Sequence, residues 1–335
     1  MRRVTPVGAA RAAVVFGGLA AFPFLVTTDW KVNIGVFTLM YAALATSWNL
    51  FSGYSGYISL GQAAFFGLGA YSMGITFQHL SIGSGYRPFY VLPLVAVAVA
   101  LVSLPIGWIA LRTRAITFAI VTLMLLFIVQ QLAFNLHGIT HGSQGIAVPQ
   151  PNFASNFDRP YYLAMLALLA LSLITCWYVR GSKLGLMLFS IREDEQKARG
   201  LGVRTTGVKL TAWYLSVALT AMVGAVWGYY LFYIYPESAV DPLVMIGAIL
   251  MTFLGGRGTL WGPMVGAFVL VPAQQWTLTQ YGATRLYLVA YAAVFVVVIL
   301  LLPRGILPSL ATLAGRGRAR TSAGRAAEIG PRAAS

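Results

Sequence analysis

Long apolar runs, broken by short polar or Gly-rich stretches, dominate this chain. A helix that crosses a bilayer core needs about 20 mainly apolar residues. Ten runs meet or approach that length: 11–28, 32–52, 57–79, 90–111, 115–136, 161–179, 209–234, 242–256, 259–279 and 284–303. The run 242–256 is short and ends at Gly255-Gly256, so it reads either as a short helix or as half of a hairpin with the next run. The run 57–79 is rich in Gly, which points to irregular backbone within it. The expected fold class is all-α, a polytopic transmembrane helical bundle of about 8–10 spans. A short segment, 1–10, precedes the membrane domain 11–303. The tail 304–335 is rich in Ala, Gly and Arg and cannot bury a core, so disorder is expected there.

Charge adds an orientation. With the N-terminus placed in the cytoplasm, guided by Arg2, Arg3 and Arg11, 19 of the 23 Lys and Arg residues fall on inside segments. Only Lys31, Arg87, Arg159 and Arg285 fall outside, and the eight acids split evenly. The whole formal charge of +15 therefore lies on the inner face. This is a strong positive-inside bias. It predicts a multi-pass protein of the cell membrane with both termini cytoplasmic, its basic tail touching anionic lipid. Arg2-Arg3 hints at a twin-arginine signal, but no small-residue cleavage site follows and nine more runs do. The first run is therefore read as a span.

Composition narrows the class. Hydrophobic residues make up 59% of the 335 and charged residues 9%, against about 45–50% and about 25% in a soluble domain. This excludes a soluble enzyme, a fibre and, despite the positive charge, a nucleic-acid binder. A single cysteine, Cys176, excludes an intrachain disulfide and a cysteine metal cluster. There is no G-x-x-x-x-G-K-[ST], H-E-x-x-H, C-x-x-C or G-x-S-x-G. His137 and His141 are four apart, but Gly138 and Gly142 make that stretch a loop. No metal, catalytic residue or cofactor is expected in this chain. The expected helix interiors hold almost no ionisable residue, whereas ion-coupled carriers and pumps use intramembrane charges. The chain reads as a passive conduit driven by something else.

Four constellations stand out. The first runs from Asn49 to Tyr71, NLFSGYSGYISLGQAAFFGLGAY: a tight Gly-rich turn and then a Gly-rich helix with polar Asn49, Ser59 and Gln62. Its small residues, Gly67 among them, suit close helix packing, and the polar groups are candidates for a translocation path. The second is GGRGTLWGPMVG, in which Gly258, Gly262 and Gly266 suggest a small-residue stripe on one helix face, with Pro263 a possible kink. Gly224 and Gly228 read the same way. The third is the inside loop 180–208, where Leu184, Met187, Leu188 and Ile191 at helical spacing precede Arg192, Glu193, Asp194, Glu195, Lys197 and Arg199. A short interfacial helix ending in mixed charge is what a docking knob for a cytoplasmic partner needs. The fourth is the polar external loop 137–160, a lid or docking surface. Gln130, Gln131 and Asn135 precede it and are further path candidates.

These segments, in this order, resemble the permease subunits of branched-chain amino acid ABC importers, in particular the M-type subunit of the leucine/isoleucine/valine system. The matching pieces are NLFSGYSGYISLGQAAFFGLGAY, THGSQGI, GLMLFSIREDEQKARGLGV, YPESAVD and FLGGRGTLWGPMVGA. The family usually has Gln where this chain has Tyr57 and Gly where it has His141. The resemblance implies a type II-like importer permease paired with a homologous H-type permease. It also implies two separate ATP-binding subunits inside and an extracytoplasmic substrate-binding protein outside. By analogy residues 192–200 form the helix that couples to the ATPase. The same family includes permeases for urea and short-chain amides, which is the alternative substrate class. A secondary carrier of a neutral solute is the second alternative.

Overall fold

The computed structural model describes residues 6–26, 28–80, 83–149, 151, 153, 157–281, 293, 296 and 305–309. The expected span 284–303, apart from two isolated positions, lies outside the described residues, as does most of the tail. The chain runs α1 (Pro6–Leu25), α2 (Asp29–Trp48), α3 (Gln62–Leu80), α4 (Leu92–Ala110), α5 (Ala115–Asn135), α6 (His137–Thr140), α7 (Asp158–Gly181), α8 (Lys183–Glu193), α9 (Glu195–Gly200), α10 (Thr205–Leu231), α11 (Pro236–Ala239), α12 (Pro242–Gly255) and α13 (Gly262–Tyr281). Between α6 and α7 lies strand β1 (Ile146–Ala147), paired antiparallel with β2 (Tyr233–Ile234), Ile146 facing Ile234.

Among the described residues, six stretches are long and apolar enough to cross a membrane: Asp29–Gly53, Arg87–Ala110, Ala115–Asn135, Asp158–Gly181, Thr205–Leu231 and Pro236–Gly255. α2 and α10 form the centre and α5 the periphery. In α5 only 17% of the apolar window is buried, against 78% and 72% in the two central helices. An apolar helix that exposed needs a non-aqueous neighbour, lipid or protein.

Glycine decides how closely the central helices approach. A Cβ on Gly224 would collide with the carbonyl of Phe66, and one on Gly228 would come within 2.9 Å of Ala70, so this face of α10 lies directly on the α3 backbone. Gly67 faces elsewhere, against Ala239 and Val240. Gly266 lies on the Met251 carbonyl and Gly262 on Gly255, so α12 is both a short helix and one arm of a hairpin with α13.

Two local expectations need correction. Gly258 is not part of a helical stripe: it sits in the loop before α13 with φ +78°, a left-handed conformation. Pro263 does not kink a helix interior. It falls in the first turn of α13, where a missing N–H costs nothing.

Residues 56–61 are irregular, as the Gly-rich sequence suggested, and α2 enters them through a π-helical turn at Asn49–Gly53. Trp48 Nε1 donates to the Ser59 carbonyl at 2.8 Å and closes this turn on itself. Around it pack Phe51, Phe65, Phe118 and Trp213, with ring centroids 5.2–5.6 Å apart.

Candidate functional site

Three segments far apart in sequence converge at one end of the bundle: the irregular turn after α2, helices α8 and α9, and the Gly255–Gly262 loop. Asn49, fully buried, joins two of them. Its Oδ1 accepts from Gly258 N at 2.8 Å and its Nδ2 donates to the Thr259 carbonyl at 2.8 Å. Arg192 adds the third, its Nη1 donating to the Gly53 carbonyl at 2.9 Å while the guanidinium lies against Gly258. Arg257 Nη2 reaches the Gly56 carbonyl at 3.4 Å. The C-terminal end of α2 carries carbonyls without helical partners and a partial negative charge, so two guanidiniums there are well placed. Burial, and then the charge of Arg192, pull the Arg257 pKa below its ordinary value.

The expected helix 192–200 is two pieces. α8 ends at Glu193 and α9 begins at Glu195, because Asp194 takes an extended conformation and caps α9. Its Oδ1 accepts from Gln196 N at 2.9 Å and Lys197 N at 3.0 Å. The Lys197 amide is the main cause that lowers the Asp194 pKa. Lys197 also pairs with Asp194 at 3.3 Å across an exposed surface, an interaction of little energetic weight. α9 stops in a Schellman arrangement: Val203 N bonds the Ala198 carbonyl at 3.1 Å and Gly202 N the Arg199 carbonyl at 3.0 Å. Gly202 takes the left-handed conformation, φ +86°, that this closure requires.

The charged residues of this loop split into two groups. Arg192, Glu193, Lys197 and Arg199 are exposed. Glu195 turns inward. Its Oε1 accepts from Lys209 Nζ and Arg199 Nη2, both at 2.9 Å, and its Oε2 from the Tyr57 hydroxyl. Lys209, in the second turn of α10, is 1% exposed and its ammonium stands 4.1 Å from the centroid of the Tyr57 ring. Burial alone raises a carboxyl pKa. Here the Lys209 hydrogen bond, with Tyr57 and the Lys209 charge, outweighs it and holds Glu195 down at about 2. An open polar groove of ≈ 460 Å³ runs alongside, lined by Ser55, Tyr57, Arg114, Arg192, Glu193 and Gln196 among others.

The path candidates fall into two separate sets. Asn49, Ser59 and Gln62 are fully buried at the converging end. Gln62 Nε2 donates to Ser216 Oγ at 2.6 Å and Thr220 Oγ1 at 3.0 Å, and Ser216 donates on to the Ser47 carbonyl. Among the described residues, the Gln62 Oε1 and Ser59 Oγ have no hydrogen-bond partner. Gln130, Gln131 and Asn135 lie at the far end of α5. Gln130 bonds the Val240 carbonyl at 3.2 Å, while Gln131 and Asn135 are exposed. Lys209 and Arg257 belong to the converging end but were not singled out from sequence, and Tyr57 was noted there only as a departure from the family's usual Gln. Lys209 reads there as one more basic residue at a span edge, and nothing local points to a carboxylate 14 residues earlier.

At the opposite end, Thr140 Oγ1 bonds the Ala133 carbonyl at 2.7 Å and Val148 N the Phe232 carbonyl at 2.7 Å, pinning the loop after α5. His141 takes φ +56°, a conformation that favours glycine, and its Nε2 lies 3.0 Å from Gln78 Nε2.

A bundle of membrane-length apolar helices, with its polar groups gathered at the ends, is a multi-pass membrane protein. Residues 31–302 match the family described as the permease component of branched-chain amino acid transport systems, and the chain belongs to that family. It is 29% identical over 318 residues to the high-affinity branched-chain amino acid permease protein LivM of Salmonella typhimurium, covering 86% of this chain and 72% of that one. It is 23% identical over 296 residues to LivH of Escherichia coli K12, covering 80% of this chain and 91% of that protein. The autoinducer 2 import permease LsrC of Yersinia pseudotuberculosis is 32% identical, over 114 residues that make up 32% of this chain and 31% of that one. No solved structure matches.

Proposed function

We propose that this chain is the M-type permease subunit of an ATP-driven importer of branched-chain amino acids. It forms the translocation path with a homologous H-type permease. Two ATP-binding subunits act on the cytoplasmic side and a substrate-binding protein delivers solute outside. The observation that carries this is the family match across residues 31–302, with similarity to both LivM and LivH. The charge distribution supports an orientation with both termini and the α8–α9 loop inside.

In this reading the exposed charges of α8 and α9, Arg192, Glu193, Lys197 and Arg199, meet the ATPase. The exposed face of α5, with Gln131 and Asn135 at its outer end, lines the path against the partner permease. Asn49, Ser59 and Gln62 hold the fold together and do not touch solute. An apolar face with polar ends suits a solute without net charge.

The test is uptake in proteoliposomes holding this chain with the partner permease and ATPases, with binding protein supplied, and labelled leucine and urea offered in parallel. Leucine uptake that needs both ATP and the binding protein is the expected result. Urea uptake alone changes the substrate class. Transport by this chain alone, without ATP, overturns the reading.

A further inference from the structure

We infer that Glu195, Lys209 and Tyr57 form an internal clamp that joins α9, the base of α10 and the irregular turn after α2 into one mechanical unit, and that Lys209 and Tyr57 are positioning residues for coupling ATP hydrolysis to transport. This rests on the importer reading above and deepens it.

Three observations carry it. First, Lys209 is 1% exposed, a burial that a lysine accepts only when its charge is met. The Glu195 carboxylate meets it at 2.9 Å and the Tyr57 ring covers it at 4.1 Å from the centroid. Second, the carboxylate is shared. Oε1 takes Lys209 and Arg199 while Oε2 takes the Tyr57 hydroxyl, so a single side chain ties three elements, with Tyr57 lying 138 positions before Glu195 and Lys209 14 after it. Third, the elements so tied continue into the centre of the bundle. Tyr57 precedes Gln62, whose amide bonds Ser216 and Thr220 on α10. Arg192, on the other side of the Asp194 break, holds Gly53 and touches Gly258.

A loop fixed at one point pivots under load. A loop fixed at Arg192 and again at Glu195 passes a displacement to the helices beneath it. The clamp lies between the exposed charges of α8–α9 and the close-packed α3–α10 pair, where a push from a partner must travel. The Tyr57 hydroxyl reaches the carboxylate from an aromatic ring that also shields the lysine.

The test uses the complete assembly in proteoliposomes, with solute taken up per ATP hydrolysed as the readout. Lys209→Met removes the charge and keeps the apolar stem. Tyr57→Phe removes only the hydroxyl and keeps the ring. Both are expected to lower solute per ATP by about five- to tenfold, at the lower end of the usual range of coupling between sites, while the ATPases stay bound and active. Pairing Glu195→Gln with Lys209→Met is expected to cost little more than either alone, because both break one interaction. An unchanged ratio in both single variants overturns the clamp. Loss of the ATPases from the purified complex also overturns it, since the cluster then only shapes the docking surface. Failure of the unaltered assembly to couple uptake to ATP is a different result and defeats the importer reading itself.

Discussion

Two buried side chains at the converging end lend themselves to direct measurement. Asn49 satisfies a backbone N–H and a carbonyl of the Gly258-Thr259 loop from within α2. Asn49→Ala leaves both groups without partners in a water-poor site, at about 1–3 kcal/mol for each unsatisfied group. A lower unfolding temperature in detergent, followed by tryptophan fluorescence, is expected. An unchanged temperature would mean that the loop finds other partners. Glu195 predicts a pH dependence. Its carboxyl is held at about 2, below the ordinary 4.5. A group whose folded-state pKa is depressed stabilises fully above the ordinary value and loses that contribution as pH falls through the folded one. Hydrogen-exchange protection of residues 195–205, corrected for intrinsic rates, should therefore fall between pH about 4.5 and about 2. In Glu195→Gln it should be lower and flat over that window. An equally steep profile in the glutamine variant would assign the titration to Asp194, whose pKa is also depressed.

At the scale of elements, the α3–α10 crossing is set by absent side chains. Gly224→Ala places a methyl on the Phe66 carbonyl, an overpacking that costs about 1–3 kcal/mol. Gly207, in the first turn of α10, has open space around its Cβ position. Gly207→Ala should be neutral or stabilising by up to about 1 kcal/mol, through helix propensity alone. Opposite shifts in thermal stability are expected for the two variants of one helix; a loss of equal size in both would show that the packing is not what glycine provides. The extents of these elements were largely legible in the sequence: the apolar run 115–136 became Ala115–Asn135 and 90–111 became Leu92–Ala110. Long apolar runs report length because a helix must match the bilayer. What could not be read was which side of a helix meets which neighbour. The sequence marks Gln62 as a path candidate but does not reveal its partners Ser216 and Thr220, which lie more than 150 positions away. Glu195 looked like a docking charge because its partner Lys209 is separated from it by a turn that only the fold closes. Asp194 was legible as a charge but not as the cap that breaks the loop into two helices.

For the whole molecule, the coupling proposal requires the converging end to lie on the cytoplasmic side, so the orientation across the membrane decides it. Cys176 makes this measurable without removing a native residue. It is fully buried, a setting that suppresses reaction with thiol reagents. Single added cysteines can then report against a silent background. Ser143 and Lys197 are both exposed, at opposite ends of the bundle. In intact cells, Ser143→Cys is expected to react with a membrane-impermeant maleimide, whereas Lys197→Cys and Ser335→Cys are expected to react only after permeabilisation. The excess of Lys and Arg on one side drives this expectation, and the coupling proposal depends on it. Lys197 lies two residues from Glu195. If Lys197→Cys labels from outside while Ser143→Cys does not, the clamp faces away from any ATP-binding partner. No motion of such a partner could then reach α3 and α10 through it. If only Ser335→Cys labels from outside, the number of spans after α13 is even rather than odd, and the α8–α9 loop stays where coupling needs it. Labelling at three positions thus separates an inverted bundle from a miscounted one, and only the first of these would remove the physical basis for coupling at this end.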